Sequence, residues 1–96
     1  PLAARADLIF VLNSGDASIS VIDGTTRQEI RRQPVLREVH HLVVTPDGQS
    51  LVVGDSGGNE LIFLDPMTGA VQRRERISNP YHLEYSPDGR YLVVAS

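Results

Sequence analysis

Cysteine is absent from this chain. Disulfides, thiolate metal sites and a cysteine nucleophile are therefore excluded, although the absence does not separate an oxidising compartment from a reducing one. No apolar run approaches the roughly 18 residues that a membrane-spanning helix requires; the longest are short pieces such as Leu8 to Leu12. Charge of one sign is also lacking: the formal net charge is −3 with the signs mixed. Nucleic acid or an anionic membrane surface calls for a broad cationic field, so neither nucleic-acid binding nor membrane insertion is expected. No segment sustains a helical period, and no serine or threonine sits in a nucleophile elbow or at motif spacing from a histidine, which leaves hydrolase chemistry without local support.

What is present is ordinary for a globular chain: 96 residues, 41% of them apolar, enough for one small domain with a core. The first residues read "PLAARAD", without an initiator methionine. Ala4-Arg5-Ala6 before Asp7 has the small-x-small form of a signal-peptidase site, where only small side chains fit the cleavage subsites. Residues 1–6 are therefore expected to be a signal-peptide remnant, and the protein to be periplasmic or secreted. The alternative is an alanine-rich leader with no address value.

A repeat dominates the rest. "REVHHLVVTPDGQSLVVGD" (37–55) aligns without a gap onto "SNPYHLEYSPDGRYLVVAS" (78–96) at an offset of 41, with eight identities in 19 positions. They include His41/His82, Leu42/Leu83 and the whole Pro-Asp-Gly turn, 46–48 and 87–89. Upstream, "LIFVLNSGDASISVID" (8–23) matches "SLVVGDSGGNELIFLD" (50–65) at an offset of 42. The one-residue difference is expected in the turn that follows Asp23 and Asp65, because surface turns tolerate length changes.

Each unit divides into short segments rich in Val, Ile, Leu, Phe and Tyr, separated by Gly, Pro, Asp and Asn, the mark of strands joined by tight turns. Strands are predicted at about 8–13, 18–23, 28–33, 39–45, 50–54, 60–65, 70–77, 81–86 and 90–95. Four strands per unit give a four-stranded antiparallel sheet, and such sheets arranged radially make a β-propeller. "LIFVL" and "LVV" are continuously apolar, as expected where both faces of a sheet are covered. "QEIRRQ" and "VQRRER" are dense in charge and mark the outermost strand of each blade, where charge discourages edge-to-edge pairing. The fold class is thus all-β, with about two blades' worth of strands. The expected division is a three-strand partial blade at 7–37, a complete blade at 38–78 and a two-strand partial blade at 79–96.

On these residues the chain resembles the YVTN-type bacterial β-propeller repeats, with Phe10-Val11-Leu12-Asn13 in the place of the naming tetrapeptide. The same repeat style occurs in the haem-binding propeller of dissimilatory nitrite reductase and, more loosely, in lactonase-like propellers. The resemblance implies a ring of typically seven or more blades, so this strand count predicts a piece of a longer exported protein, with self-assembly of copies as the alternative. Its partners are then expected to be the missing blades or other copies of itself, besides a protein or small-molecule ligand. The function expected is a non-catalytic binding scaffold; the alternatives are a haem- or metal-handling propeller that uses channel histidines, and a lactonase-like hydrolase.

His41 and His82 begin the first strand of successive blades, which in a propeller lines the central channel. Imidazoles converging there can ligate a metal or haem iron, or hold an anion. His40 precedes one of them and Tyr81 takes the matching place before the other. Glu84 lies two residues after His82, on the same face of the strand, where it can orient the imidazole. These four residues, His41, His82, His40 and Glu84, are the candidate ligand-binding set; no catalytic residue and no evident cofactor is assigned. The structural alternative is that the histidines bond loop backbone at the strand start and recur because the unit was duplicated. Asp47 and Asp88 are explained by their turns. Asp16, Asp55 and the glycines of "GDSGGN" (54–59) form loops that can hold a cation or a phosphate, without the strand-to-helix context of a nucleotide loop.

Overall fold

The computed structural model describes residues 8–34 and 37–96. The leader expected at 1–6, and Asp7, lie outside the described residues. Nine strands follow in chain order: β1 (Leu8–Asn13), β2 (Ser18–Asp23), β3 (Glu29–Pro34), β4 (Val39–Val44), β5 (Leu51–Asp55), β6 (Glu60–Leu64), β7 (Val71–Arg76), β8 (His82–Tyr85) and β9 (Leu92–Ala95). They form three antiparallel sheets in the orders β1-β2-β3, β4-β5-β6-β7 and β8-β9. Every strand pairs with its sequence neighbour, so each connection within a sheet is a hairpin.

The turns repeat in atomic detail. The Gly48 amide donates to the Thr45 carbonyl (2.8 Å), and the Asp47 carboxylate accepts from the Gln49 amide (3.0 Å) and the Thr45 hydroxyl (2.7 Å). One unit later Gly89, Ser86, Asp88 and Arg90 make the same bonds. Gly48 and Gly89 have φ of 72° and 73°, the left-handed region that only glycine enters without strain.

The turns after β2 and β6 are also alike, and here the expected length change is corrected. Asp23 accepts the amides of Thr25 and Thr26, as Asp65 accepts those of Met67 and Thr68. Arg27 (φ 63°) and Gly69 (φ 80°) take the same left-handed place. Both turns therefore have one length. The extra residue of the first unit lies between β3 and β4, ahead of residue 37, because β3 and β7 keep the offset of 42 and everything from residue 37 onward keeps the offset of 41. Within the ladder, Val39 pairs with Asp55 but His41 pairs with Gly54, so two steps along β4 match one along β5. His40 is the inserted residue of a β-bulge. One unit later Tyr81 holds the same place: the β8–β9 ladder begins at His82↔Ala95, and the Tyr81 amide donates to the Ala95 carbonyl (2.9 Å).

The four-stranded sheet is the middle layer. Leu51, Val53, Ile62 and Leu64 pack with Ile19, Val21 and Val39 on one side, while Val52, Leu61 and Phe63 pack with Leu83 on the other. Successive residues of a strand point to opposite faces, so covering both faces requires the continuous apolar runs seen in β5 and β6. All six residues of β7 are exposed, as its charge density predicts. Side chains also link neighbouring sheets: Arg31 donates to the Met67 carbonyl (3.0 Å) and Gln33 to the Gly69 carbonyl (2.6 Å).

Candidate functional site

β4 and β8 are the first strands of consecutive sheets and lie against each other. Because the units repeat, equivalent residues on these strands stand side by side. The His41 and His82 rings are 4.3 Å apart between centroids and tilted by 55°. His40 and Tyr81 are 4.5 Å apart and stacked at 19°. The bulge at His40 makes this double pairing possible, since a regular strand would send consecutive side chains to opposite faces. Two tiers of rings therefore run along the inner edge of the blades.

Carboxylates flank the rings. Glu84 Oε1 lies 3.4 Å from His82 Nε2, and Glu38 Oε2 lies 3.4 Å from His40 Nε2. His41 has the least ordinary environment of the three. Burial holds its pKa below the usual histidine value, and the neighbouring His82 pushes in the same direction, only partly offset by Glu84. At neutral pH it is an uncharged imidazole with a free lone pair.

The four candidates thus meet as two pairs in contact, His41 with His82 and His82 with Glu84, with His40 one residue away along β4. Among the described residues their ring nitrogens make no bond to loop backbone, so the expected backbone role is replaced by ring pairing. Sequence reasoning missed Glu38. It also missed how the start of β4 is held: Asp55 is fully buried, and its Oδ1 accepts the Glu38 amide (3.0 Å) while the Ser56 amide donates to the Glu38 carbonyl (2.9 Å). The repeat carried no signal for either, since Asn79 and Ser96 stand at the matching places.

Other candidate loops resolve into structure. Asp16 accepts from the Ser18 hydroxyl (2.6 Å) and pairs with Arg32 (3.2 Å). Asp55 fastens the chain connection through Oδ1, while its buried Oδ2 has no hydrogen-bond partner among the described residues. No group of three or more His, Cys, Asp or Glu side chains suited to a metal ion occurs among the described residues. A cleft of about 370 Å³ lies at the Pro-Asp-Gly turns, beside Pro46, Phe63, Arg73 and Tyr85. It sits at the opposite end of β4 from the histidines.

Antiparallel sheets stacked face to face, with equivalent residues meeting along the first strands, define a β-propeller protein. The chain matches the YNCE-like beta-propeller family over residues 1–96 and belongs to that family. Among solved structures it is similar to Kuenenia stuttgartiensis hydrazine synthase, with a TM-score of 0.80 and 24% identity over 92% of this chain and 25% of that one. It is also similar to the dihydro-heme d1 dehydrogenase NirN in complex with DHE, with a TM-score of 0.76 and 27% identity over 96% of this chain and 21% of that one. The chain therefore spans about a quarter or less of the length of these neighbours. No curated protein matches it.

Proposed function

We propose that the chain is part of an exported, non-catalytic propeller that binds a ligand along its inner edge, through His40, His41, His82 and Glu84. The observation that carries this reading is the registration of rings from adjacent blades at 4.3 Å, with an uncharged imidazole among them. Rings held on neighbouring rigid strands form a preorganised surface, which lowers the ordering cost of binding. The exposed apolar residues Ile9 and Val11 on the first sheet and Tyr91 and Val93 on the last support partners that are further blades or other copies of the chain. Export is supported by Ala4-Arg5-Ala6 and is tested by fractionating cells of the native host.

A second reading, a haem-handling propeller, is favoured by the likeness to NirN. An uncharged imidazole such as His41 suits haem iron. The clefts at the Pro-Asp-Gly turns, at Asn59 to Ser78 and at Gly48 to Gln72 are lined without the histidines, so this stretch would supply an axial ligand and other parts the pocket walls. Nothing specific favours a lactonase-like hydrolase.

One experiment separates the two readings. The full-length protein is purified from its native host, wild type and His41→Ala, and analysed by visible absorption and mass spectrometry. A co-purifying molecule without a Soret band, lost in the variant, supports the binding scaffold. A Soret band lost in the variant supports the haem reading, and a ligand indifferent to His41 overturns both.

A further inference from the structure

The stacked and the tilted ring pairs differ in what they can do. His40 and Tyr81 lie almost parallel, so their in-plane groups point past one another and the contact is one of faces. The His41 and His82 rings are inclined by 55°, which lets an in-plane lone pair from each converge on one point. With metal–nitrogen bonds of about 2.0–2.1 Å, an ion would stand roughly 3.2 Å from each ring centroid. Centroids 4.3 Å apart then subtend roughly 85° at the ion, the angle between two adjacent coordination positions.

The nitrogens are provided for as well. Glu84 beside His82 Nε2 accepts the proton of that nitrogen, which leaves the lone pair on Nδ1. A carboxylate that fixes the tautomer and orients the ring is the usual companion of a ligating histidine. His41 is half-buried and has no carboxylate of its own, so its lone pair is not engaged by a fixed partner among the described residues. Glu84 has no counterpart in the preceding unit, where Val43 stands, so the arrangement is not a by-product of duplication.

We infer that His41 and His82 form a clamp for one divalent late-transition ion between β4 and β8, with Glu84 as the residue that positions His82. The inference rests on the reading of the inner edge as the ligand face. Two imidazoles, with water in the other positions, select ions with high affinity for nitrogen and adjacent open sites, Cu²⁺ and Ni²⁺ ahead of Zn²⁺. With two imidazoles and no third ligand suited to a metal ion among the described residues, the site is exchangeable rather than structural.

The test is titration of the metal-free full-length protein with NiCl₂ and with CuCl₂, followed by calorimetry and by the ligand-field absorption of the bound ion. One ion per chain is expected. His41→Ala and His82→Ala should each weaken binding at least tenfold, and the double variant should weaken it no further, because a clamp fails when either jaw is lost. Glu84→Gln should weaken it severalfold, and Arg74→Ala, on the exposed outer strand β7, should leave it within twofold. His41→Phe, which keeps a ring in the pair, guards against a packing effect and should lose the ion as fully as His41→Ala. Losses that add, an ion shared between two chains, or binding indifferent to His41 would overturn the clamp. Failure here leaves the co-purified ligand to be found, so the broader reading is judged separately.

Discussion

Two equivalent residues show how little of a turn is dictated by the turn alone. Gly69 and Arg27 both adopt the left-handed conformation, yet only Gly69 lies beneath a neighbouring sheet, where an added Cβ would collide with the Gln33 amide oxygen and the Arg31 guanidinium. Gly69→Ala should therefore cost about 1–3 kcal/mol, from backbone strain and from displacement of Gln33. Arg27→Gly should stabilise by about 1 kcal/mol, since it removes strain where nothing described packs. Denaturant unfolding measures both. The Pro-Asp-Gly turns carry a pH signature too. Hydrogen bonds from the Gln49 amide to Asp47, and from the Ser86 hydroxyl to Asp88, hold both carboxyls below the ordinary aspartate value of 3.8. Their stabilisation is present above pH 3.8 and is lost as the pH falls through the lowered folded values. Acid unfolding of Asp47→Asn and Asp88→Asn together should lose that part of its pH dependence.

At the scale of the element, burial separates strands of similar length. Ile62 in β6 is 1% exposed between two sheets, and Ile62→Ala should cost about 2–5 kcal/mol, read by thermal or chemical unfolding. Arg74 in β7 forms an exposed ion pair with Glu60 at 2.8 Å, and Arg74→Ala should change stability by less than about 1 kcal/mol. This contrast was legible in the sequence, because "LIFL" and "VQRRER" state in composition what each strand touches. All nine strands were likewise readable from turn residues and apolar runs, with ends shifted by no more than a residue or two. The bulge was not. Pairing is a property of two strands, and the offset of 41 against 42 reports a residue gained ahead of residue 37, not the register of the β4 ladder. The convergence of His41 with His82 was legible from their equivalent places on successive first strands, whereas the burial of Asp55 was hidden, because it depends on how the chain entering β4 folds over the end of β5, which local periodicity does not encode.

At the scale of the whole molecule, three layers leave two outward faces. Ile9 and Val11 on one and Tyr91 and Val93 on the other are between 40% and 62% exposed, in rows that continue the alternation of the buried cores. The isolated 96-residue chain should self-associate through them. Light scattering should report a mass above one chain, and Tyr91→Lys with Val93→Lys should lower it; a monomeric wild type would count against these faces as contact surfaces. The grip of one sheet on the next adds a constraint. Arg31 and Gln33 hold the carbonyls of Met67 and Gly69, and the residues at the same register on β7 are Arg73 and Glu75. An ionised glutamate only accepts hydrogen bonds, so it cannot hold a carbonyl as Gln33 does. Blades of nearly the same sequence are therefore not interchangeable parts: a tandem duplicate of the middle unit would set a carboxylate against a carbonyl oxygen, and order around the ring is written into which neighbour brings the hydrogen.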